Sequence, residues 1–238
     1  MSKLILIRHG QSEWNAQNKF TGWVDIDLSE HGVLEAKEAG NLIKKKKINI
    51  DISYTSYLKR AIRTLTTILD INKLGKKFNA SWKINERHYG ALTGLNKSET
   101  KQKIGEEKFN NYRRSWSIAP PPIEDKDGFQ KKYGPLNLSL PEKFIPLTES
   151  LEDTYNRVIP YYVKEIKVNL ANNKNILISA HGNSLRALCK YLFNIKNSKI
   201  NELEIPTGNP LVLEIEDSEK IKECYYLDLN RKKEIFFN

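Results

Sequence analysis

The sequence of 238 residues contains only two cysteines, Cys189 and Cys224. It also has no apolar run that approaches the length of a membrane-spanning helix, which needs about 20 residues. Two distant cysteines exclude both the disulfide framework of a small secreted domain and the paired thiolates of a zinc site. The short apolar stretch over residues 1–7 is not a secretory signal. These absences predict a cytoplasmic protein that has no membrane partner.

Several sequence motifs of catalysis are missing as well. The chain has no Gly-x-Ser-x-Gly turn, no Walker phosphate loop, no Gly-x-Gly-x-x-Gly motif and no His-x-x-x-His pair. Cys189 falls on a predicted helix and Cys224 on a predicted edge strand, which are poor positions for a nucleophile. We therefore expect no metal ion and no serine or cysteine nucleophile in the site.

Positive charge is in excess. Lysine and arginine number 39 against 29 aspartate and glutamate residues, so the formal net charge is +10. This balance favours an anionic partner, which could be nucleic acid, an acidic membrane or a phosphorylated metabolite. The densest run, Lys44–Lys47, falls at the end of a predicted helix, where cations stabilise the helix dipole. No nucleic-acid-binding motif accompanies the charge, so we expect no specific nucleic acid partner.

Apolar runs alternate with helical periodicity along the chain, and this alternation predicts the fold class. We expect one α/β domain over residues 1–238, with a three-layer architecture, a mostly parallel sheet, helices on both faces and an antiparallel edge strand. The predicted strands are residues 3–7, 51–54, about 82–84, 176–180, 211–215 and 223–227, the last two as edge strands. The predicted helices are residues 29–46, 56–69, short pieces within 97–116, 150–170 with a kink at Pro160, and a helix from 182, with Ser29, Ser56 and Ser150 as N-caps.

Two segments depart from this alternation. Residues 118–147 contain six prolines, which predict an irregular excursion without regular helix. A long irregular segment inside a domain usually serves a site, so we interpret it as an ordered excursion over a functional site, with a loose surface insertion as the alternative. A basic tail follows over about residues 229–238.

Two of the four histidines occupy matching positions in the sequence. His9 and His181 each follow a hydrophobic strand and precede a glycine. The carboxyl ends of neighbouring parallel strands form the usual ligand-binding crevice of an open α/β sheet, so the two imidazoles can converge there. A single histidine after a strand is more often structural, but the repeated pattern favours a catalytic pair.

Arginines accompany these histidines. Arg8 adjoins His9, Arg60 lies near the start of a helix, and Arg113 and Arg114 form a pair before the proline-rich excursion. Planar guanidinium groups stabilise the charge that spreads over a phosphoryl group during transfer. Each arginine alone is more often a surface residue, but together they predict a phosphate pocket.

Six blocks of the sequence, in order, carry a resemblance to a known family. Residues 8–15, Arg-His-Gly-Gln-Ser-Glu-Trp-Asn, resemble the signature of the histidine phosphatase superfamily. The further blocks are similar to the cofactor-dependent phosphoglycerate mutases, and they cover residues 20–23, 56–61, 85–92, 147–151 and 180–186. Together they extend over nearly the whole chain, which makes the resemblance far more specific than Arg-His-Gly alone.

This resemblance implies an isomerase of glycolysis and gluconeogenesis that moves phosphate between the 3- and 2-positions of glycerate. It implies a phosphohistidine at His9, a 2,3-bisphosphoglycerate intermediate that also primes the enzyme, and no metal. Glu86 would act as general acid and base, or alternatively form a structural salt bridge with Arg87 or a neighbour. The implied catalytic residues are His9, Glu86, His181, Arg8 and Arg60. The implied substrate-binding residues are Asn15, Thr21, Gly22, Tyr89, Lys97, Arg113, Arg114, Gly182 and Asn183.

The resemblance also implies partners and alternatives. Small phosphorylated three-carbon acids are the expected substrates, and a homodimer or a homotetramer is the expected assembly. Gln11 stands where the family commonly has glutamate, and we expect activity to survive. Ser12, Thr21 and Gly22 favour a mutase over a bisphosphoglycerate synthase, whereas a histidine-dependent phosphatase is the nearest rival, because water can accept the phosphoryl group in an open pocket.

Overall fold

A single mixed sheet organises the residues that the computed structural model describes, which are 1–133, 140–216 and 220–235. Within these residues the sheet has six strands in the order β3-β2-β4-β1-β5-β6. The strands are β1 (Ser2–Arg8), β2 (Ile52–Thr55), β3 (Asn79–Ala80), β4 (Ile176–Ala180), β5 (Leu211–Glu216) and β6 (Lys220–Tyr226). The pairs β3-β2, β2-β4 and β4-β1 are parallel, and the pairs β1-β5 and β5-β6 are antiparallel. The mostly parallel sheet with an antiparallel edge strand is therefore confirmed.

Helices connect the strands and begin largely where the sequence indicates. Their bounds are α1 (Glu13–Ala16), α2 (Glu30–Lys45), α3 (Lys59–Ile71), α4 (Lys97–Ile104), α5 (Glu106–Arg114), α6 (Lys126–Tyr133), α7 (Leu151–Tyr161), α8 (Lys167–Ala171) and α9 (Gly182–Leu192). Short 3₁₀ turns span Trp82–Ile84, Gly90–Leu92 and Glu142–Phe144. The predicted caps at Ser29 and Ser150 are confirmed, because each hydroxyl accepts a hydrogen bond from a free amide of its helix's first turn.

The sheet separates two hydrophobic layers. Leu4 and Leu6 of β1 face a cluster formed with α7, α8 and α9, whereas Ile5 and Ile7 face a second cluster formed with α2 and α3. All four of these side chains are fully buried, as expected for a strand covered on both faces. The three-layer architecture is therefore confirmed. Among the described residues, no helix combines the length and hydropathy needed to cross a bilayer.

Outside the proline-rich excursion, three sequence-based predictions of local structure are wrong. Residues 82–84 form a 3₁₀ turn, and the strand is the shorter β3, because the chain leaves the sheet at Ser81, whose hydroxyl accepts from the amide of Lys83. Ser56 does not cap α3, which begins at Lys59, because its hydroxyl is oriented toward other groups. Finally, β5 is not an edge strand, since β1 and β6 pair with its two sides.

Helix α7 ends irregularly just after Pro160. The chain continues as a π-helical turn over Tyr162–Ile166 before α8 begins. Proline lacks an amide hydrogen and its ring crowds the carbonyl one turn earlier, so a regular α-helix does not pass through it undisturbed. The hydroxyl of Tyr54 donates to the carbonyl of Glu165 at 2.9 Å, which satisfies an acceptor within the widened turn.

The proline-rich excursion contains more regular structure than the sequence suggests. Helix α6 occupies an eight-residue interval free of proline, and a side-chain oxygen of Asp125 accepts from the amide of Gly128 in its first turn. The prediction of no regular helix over residues 118–147 is therefore wrong. The Tyr133 hydroxyl donates to the carbonyl of Thr93 at 3.2 Å, which holds α6 against the body of the protein. Residues 134–139 of the excursion lie outside the described residues.

Two glycines bring the first turn of α2 against the loop that follows β1. A Cβ atom on Gly10 would lie 2.2 Å from the carbonyl oxygen of Gly32, and a Cβ atom on Gly32 would lie 2.0 Å from that of Gln11. Backbone atoms form the obstacle on both sides, so no side-chain rotation can relieve the overlap. Glycine is therefore required at both positions for this close approach.

We expect Gly32→Ala to lower the free energy of unfolding by about 1–3 kcal/mol, because the added methyl group must push two backbone segments apart. Urea denaturation monitored by circular dichroism measures the change. Gly75→Ala is the matched control, since nothing lies within 4 Å of the added atom, and we expect a change within about 0.5 kcal/mol. Equal stabilities for the two variants would contradict the backbone contact.

Candidate active site

His9 follows the last residue of β1 and is held in one orientation. Its ring Nδ1 lies 2.6 Å from the carbonyl oxygen of Gly10, which can only accept a hydrogen bond. Nδ1 therefore carries the proton and donates, and Nε2 keeps its lone pair. The side chain is buried, with 3% of the residue exposed. A neutral imidazole with a fixed tautomer is the form in which histidine can act as a nucleophile.

His181 follows β4 and lies beside His9. The two strands are parallel neighbours in which Arg8 pairs with Ala180, so the residue after each strand emerges at the same edge of the sheet. The ring centroids are 4.9 Å apart in an edge-to-face arrangement. Nε2 of His181 lies 2.7 Å from the hydroxyl of Ser56, and Nδ1 has no hydrogen-bond partner among the described residues.

Arg60 completes the arrangement around His9. It lies in the first turn of α3 and is almost fully buried. Its Nε donates to Nε2 of His9 at 3.3 Å, while Nη1 and Nη2 donate to the carbonyls of Val24 and Gly22 at 2.9 and 2.7 Å. Two carbonyl acceptors thus fix the guanidinium plane, and its remaining edge faces Nε2 of His9.

Burial and positive charge keep both histidines neutral. Burial, and then the charges of Arg60 and Arg8, lower the pKa of His9 well below its usual value. Burial and the charge of Arg60 do the same to the pKa of His181. Burial lowers the pKa of Arg60 to about 10, so this guanidinium remains charged at neutral pH. The site therefore combines neutral imidazoles with fixed positive charge.

A cavity with two lobes adjoins these groups. The first, which we call the histidine lobe, has a volume of about 80 Å³ and is lined by Arg8, His9, Asn15, Lys19, Phe20, Thr21, Gly22, Arg60, Glu86, Tyr89, Lys97 and Arg113. The second, which we call the arginine lobe, has a volume of about 180 Å³ and is lined by Arg8, Glu86, Tyr89, Arg113, Arg114, Gly182, Asn183, Arg186, Leu203, Glu204, Ile205, Pro206 and Lys233. Every site residue expected from the sequence lines one lobe or both, except His181, which lies behind the surface against His9.

Glu86 borders both lobes and is held by backbone amides. Its Oε1 accepts from the amides of Arg87 and Asn183 at 2.7 and 3.2 Å. Among the described residues, Glu86 has no ion-pair partner within 4.0 Å, so the structural salt bridge with Arg87 is not formed. A Cβ atom on Gly182 would lie 3.7 Å from Oε2 of Glu86 and 3.5 Å from the guanidinium carbon of Arg8. The backbone of Gly182 therefore lies next to both charged groups, and an added Cβ atom would be in ordinary van der Waals contact with them.

Several buried polar atoms in this region have no protein partner. Among the described residues these include Nε of Arg8, the hydroxyl of Thr21 and Nδ1 of His181. Buried polar atoms are rarely left unpaired, so a ligand with many acceptor oxygens fits these positions.

Burial alone would raise the pKa of Tyr89, but the charges of Arg87 and Lys97 bring it below its ordinary value. An anion with phosphoryl and carboxyl oxygens matches both the free donors and the positive field.

Arg87 and Arg186 were not among the expected site residues, although both lie in sequence blocks that resemble the mutases. The guanidinium carbon of Arg87 lies 4.7 Å from the ring centroid of Tyr89, and Nη2 donates to the carbonyls of Tyr112 and Arg113. Arg186 donates to Oδ1 of Asn183 at 2.9 Å. Both arginines thus support side chains that line the cavity.

Three further residues of the candidate site were also missed by sequence reasoning. Ser56, Glu204 and Lys233 contact His181 or line the arginine lobe. Ser56 lies in a block that resembles the mutases and was assigned only as a helix cap. Glu204 lies in an irregular segment and Lys233 in the basic tail. Neither segment has a hydrophobic periodicity that would predict which way its side chains face.

The proline-rich excursion is not part of the cavity wall in the described residues. None of its described positions lines either lobe. It packs instead against the outside of site segments, with the ring of Tyr133 5.5 Å from Trp14 and that of Phe129 6.0 Å from His88. The expected position directly over the site is thus not observed for these residues. Within the described ranges, no cluster of three or more histidine, cysteine or carboxylate side chains could hold a metal ion.

Comparisons with known proteins match nearly the whole chain. The family model of the histidine phosphatase superfamily (branch 1) matches residues 4–143 and 129–227. A 2,3-bisphosphoglycerate-dependent phosphoglycerate mutase from Pelagibacter ubique (strain HTCC1062) is 54% identical over 239 aligned positions, covering 99% of each chain. Among solved structures, a mycobacterial glucosyl-3-phosphoglycerate phosphatase is similar, with a TM-score of 0.72, 20% identity and coverage of 95% and 97%. The α-ribazole phosphatase from Shigella flexneri has a TM-score of 0.65, 19% identity and coverage of 92% and 95%.

The buried neutral histidines predict a pH dependence of stability. The pKa of His9, His88 and His181 is lowered by burial, for His88 to about 4. Below pH 6.5 the unfolded chain binds protons that the folded chain does not, so stability falls as pH decreases from 6.5 toward these lower pKa values. We expect a loss near pH 5.5 of about 1.4 kcal/mol per histidine relative to pH 7.5.

Urea unfolding at pH 7.5, 6.5 and 5.5 measures this loss. His88→Gln should remove about a third of it, because one of the three titrating groups is gone. His31→Gln, which replaces a histidine whose side chain is 65% exposed, controls for the general effect of such a substitution on the free energy of unfolding. A free energy of unfolding that does not vary over this range would contradict the neutral state of the buried imidazoles.

Proposed function

The chain belongs to the histidine phosphatase superfamily, and on this premise we propose that it is an isomerase that interconverts 3-phosphoglycerate and 2-phosphoglycerate. The reaction would proceed through a phosphohistidine and a 2,3-bisphosphoglycerate intermediate, as in glycolysis and gluconeogenesis. The observation that carries this proposal is the neutral Nε2 of His9, which faces Arg60 beside a cavity lined by cations. The 54% identity to a phosphoglycerate mutase over the full chain supports the same reaction.

His9 would act as the nucleophile. Its Nε2 lone pair forms a bond to phosphorus as the bond from phosphorus to the donor oxygen breaks, while Nδ1–H continues to donate to the Gly10 carbonyl. The ring then becomes cationic, and the carbonyl stabilises this charge. The Nε–H of Arg60, which donates to Nε2 in the free protein, would donate to a phosphoryl oxygen, and Nδ1 of His181 would contribute a further contact.

Glu86 would transfer the proton of the substrate hydroxyl. Because two amides hold Oε1, the second carboxylate oxygen is available to the cavity. As the hydroxyl oxygen attacks the phosphohistidine, Glu86 accepts the proton, and in the reverse transfer it returns that proton to the departing oxygen. Its position at the border of both lobes suits this exchange, because either substrate oxygen can face it.

The residues of the cavity fit 2,3-bisphosphoglycerate. When bound, this cofactor supplies the phosphoryl group that primes His9. Its second phosphate and its carboxylate would be held by ten of the residues that line the lobes. These ten are Arg8, Asn15, Thr21, Gly22, Tyr89, Lys97, Arg113, Arg114, Gly182 and Asn183. The unpartnered donors Arg8 Nε and Thr21 Oγ1 support this fit. These fixed cations and donors perform the charge neutralisation that a metal ion performs in kinases.

The position of Gln11 supports activity in spite of its departure from the family pattern. Its side-chain Oε1 accepts from the hydroxyl of Ser29 at 3.0 Å, and it lines neither lobe of the cavity. A glutamate carboxylate at this position would therefore lie on the side of the loop that faces α2. We propose that its absence leaves the charge seen by the bound phosphate little changed.

A histidine-dependent phosphatase is the second candidate, and one observation favours it. None of the described residues of the excursion closes either lobe, so water could reach a phosphohistidine. The dense set of cations nevertheless supports retention of a bisphosphorylated acid. We therefore propose that mutase turnover exceeds phosphatase turnover.

We also propose a cytoplasmic location and a homodimeric or homotetrameric assembly. Both cysteines are free, Cys189 being buried and Cys224 half-buried, which suits a reducing compartment. The assembly rests on the resemblance to the mutase family, and sedimentation equilibrium measures it.

Incubation with 2,3-bisphosphoglycerate should place a phosphate on His9 that is labile in acid and stable in alkali. We expect His9→Ala to abolish this label and all mutase turnover, because in the described part of the chain Arg60 donates to Nε2 of no other imidazole. Phosphopeptide mapping identifies the modified residue. His31→Ala, which changes an exposed histidine, should retain the label, and a chelator should leave turnover unchanged. A label that persists in His9→Ala would contradict the proposed nucleophile.

Glu86→Gln should lower kcat for 3-phosphoglycerate by about 10²–10⁴-fold, because the amide cannot accept the hydroxyl proton. Phosphorylation of His9 by 2,3-bisphosphoglycerate should fall by a similar factor, because the same carboxyl group must protonate the departing oxygen, and rapid-quench labelling measures this step. The matched control is Glu165→Gln, which removes a half-exposed carboxylate on the π-helical turn. A kcat for Glu86→Gln within a factor of two of the original enzyme would rule out the assigned role.

A further inference from the structure

One carboxylate in the cavity has no role in the proposed reaction. Five cationic side chains line the arginine lobe, namely Arg8, Arg113, Arg114, Arg186 and Lys233. Two carboxylates line it too, Glu86 and Glu204. Glu86 would handle the substrate proton, whereas Glu204 places a negative charge where an anion is expected to bind. An acidic group in an anion pocket opposes binding, so its presence requires an explanation.

Glu204 forms an ion pair with a residue of the same lobe. Nη2 of Arg114, in the last turn of α5, donates to Oε1 of Glu204 at 2.6 Å. Burial alone would raise the pKa of Glu204, but the hydrogen bond and charge of Arg114, with the charge of Lys233, hold it below its ordinary value. The carboxylate is therefore ionised at neutral pH, and the pair joins α5 to the irregular segment between α9 and β5.

The pair is exposed enough to be exchanged. The Glu204 side chain is 51% exposed and that of Arg114 is 23% exposed. Ion pairs in such positions contribute little net free energy, because water and salt screen both charges. A phosphate or carboxylate that enters the lobe can therefore take Arg114 from Glu204. The guanidinium offers the same donor geometry to either acceptor.

We propose that Glu204 is an internal competitor of the bound anion and a specificity-determining residue of the arginine lobe. Its carboxylate occupies Arg114 when the lobe is free, and it repels the anion that replaces it. The repulsion increases with ligand charge, so Glu204 weakens the binding of a doubly phosphorylated acid more than that of a singly phosphorylated one. This assignment rests on the proposed function for the identity of the ligand.

A purely structural role for Glu204 makes a different prediction. The neighbouring carbonyl of Ile205 accepts from Nη1 of Arg8 at 2.9 Å, so loss of Glu204 could disturb the loop and displace Arg8. In that case its replacement would weaken anion binding, with the same factor for ligands of low and high charge. Competition predicts the opposite sign, and it predicts a dependence on ligand charge and on salt.

Isothermal titration with 2,3-bisphosphoglycerate and with inorganic phosphate tests the proposal. Both are titrated into the full chain carrying His9→Ala, which prevents phosphoryl transfer during the measurement. Adding Glu204→Gln should lower Kd for 2,3-bisphosphoglycerate by about 3–10-fold and for phosphate by about twofold, and both effects should shrink at 0.5 M KCl. Glu202→Gln is the matched control and should change neither Kd, since Glu202 pairs with Lys199 outside the cavity lining.

A double-mutant cycle with Arg114→Gln makes the test independent of loop disturbance. In a chain that carries Arg114→Gln, the added Glu204→Gln should increase the affinity less than it does in a chain that keeps Arg114. The proposal is overturned if Glu204→Gln leaves Kd unchanged or raises it, or if Glu202→Gln has the same effect. If the original chain lacks mutase turnover but Glu204→Gln still tightens binding, only the proposed function is contradicted. If the original chain is an active mutase but Glu204→Gln leaves Kd unchanged, only this inference is contradicted.

Discussion

The site depends on the parallel pairing of β1 with β4. In this register Arg8 lies opposite Ala180, so the next residue of each strand is a histidine at the same edge of the sheet. A shift of this pairing by one residue would turn the side chains of one strand to the opposite faces of the sheet. A polar group would then be buried beside Leu4 and Leu6, and the two imidazole rings would separate. The hydrophobic layers on the two faces therefore stabilise the register that brings the two imidazoles together, with ring centroids 4.9 Å apart.

Burial and charge act together on this pair. The low dielectric around His9 disfavours its protonation, and the nearby guanidinium of Arg60 disfavours it further. Arg60 itself is retained as a buried cation because backbone carbonyls of Val24 and Gly22 accept two of its hydrogen bonds. The positive φ of Gly22 turns the chain where its carbonyl can reach Arg60. The loop that carries Thr21 and Gly22 is thereby attached to the same group that would stabilise a phosphoryl oxygen.

Sequence reasoning predicted the features of this protein that have a period or a repeated pattern. The central strands, the layers and the convergence of His9 with His181 follow from apolar runs that end alike. Residues 82–84 were misassigned because three residues are too few to separate strand alternation from a 3₁₀ turn. Helix α6 was missed because prolines were counted over the whole excursion rather than by the interval between them. Glu204 and Lys233 enter the cavity from segments without periodicity, where only the folded chain determines which side chains meet.

The contact between Gly10 and Gly32 has a consequence for how freely this protein can change its sequence. Main-chain atoms limit how closely α2 can approach the loop that follows β1, and the side chains of α2 and its N-cap that bond to this loop are those of Glu35 and Ser29, so the spacing does not depend on the exposed face of the helix. The outer positions of α2 can then accumulate lysine, asparagine or other polar residues under pressures such as genome composition or ionic environment. Such drift would leave the imidazole of His9 in place, so a highly divergent exterior is compatible with an unaltered catalytic centre.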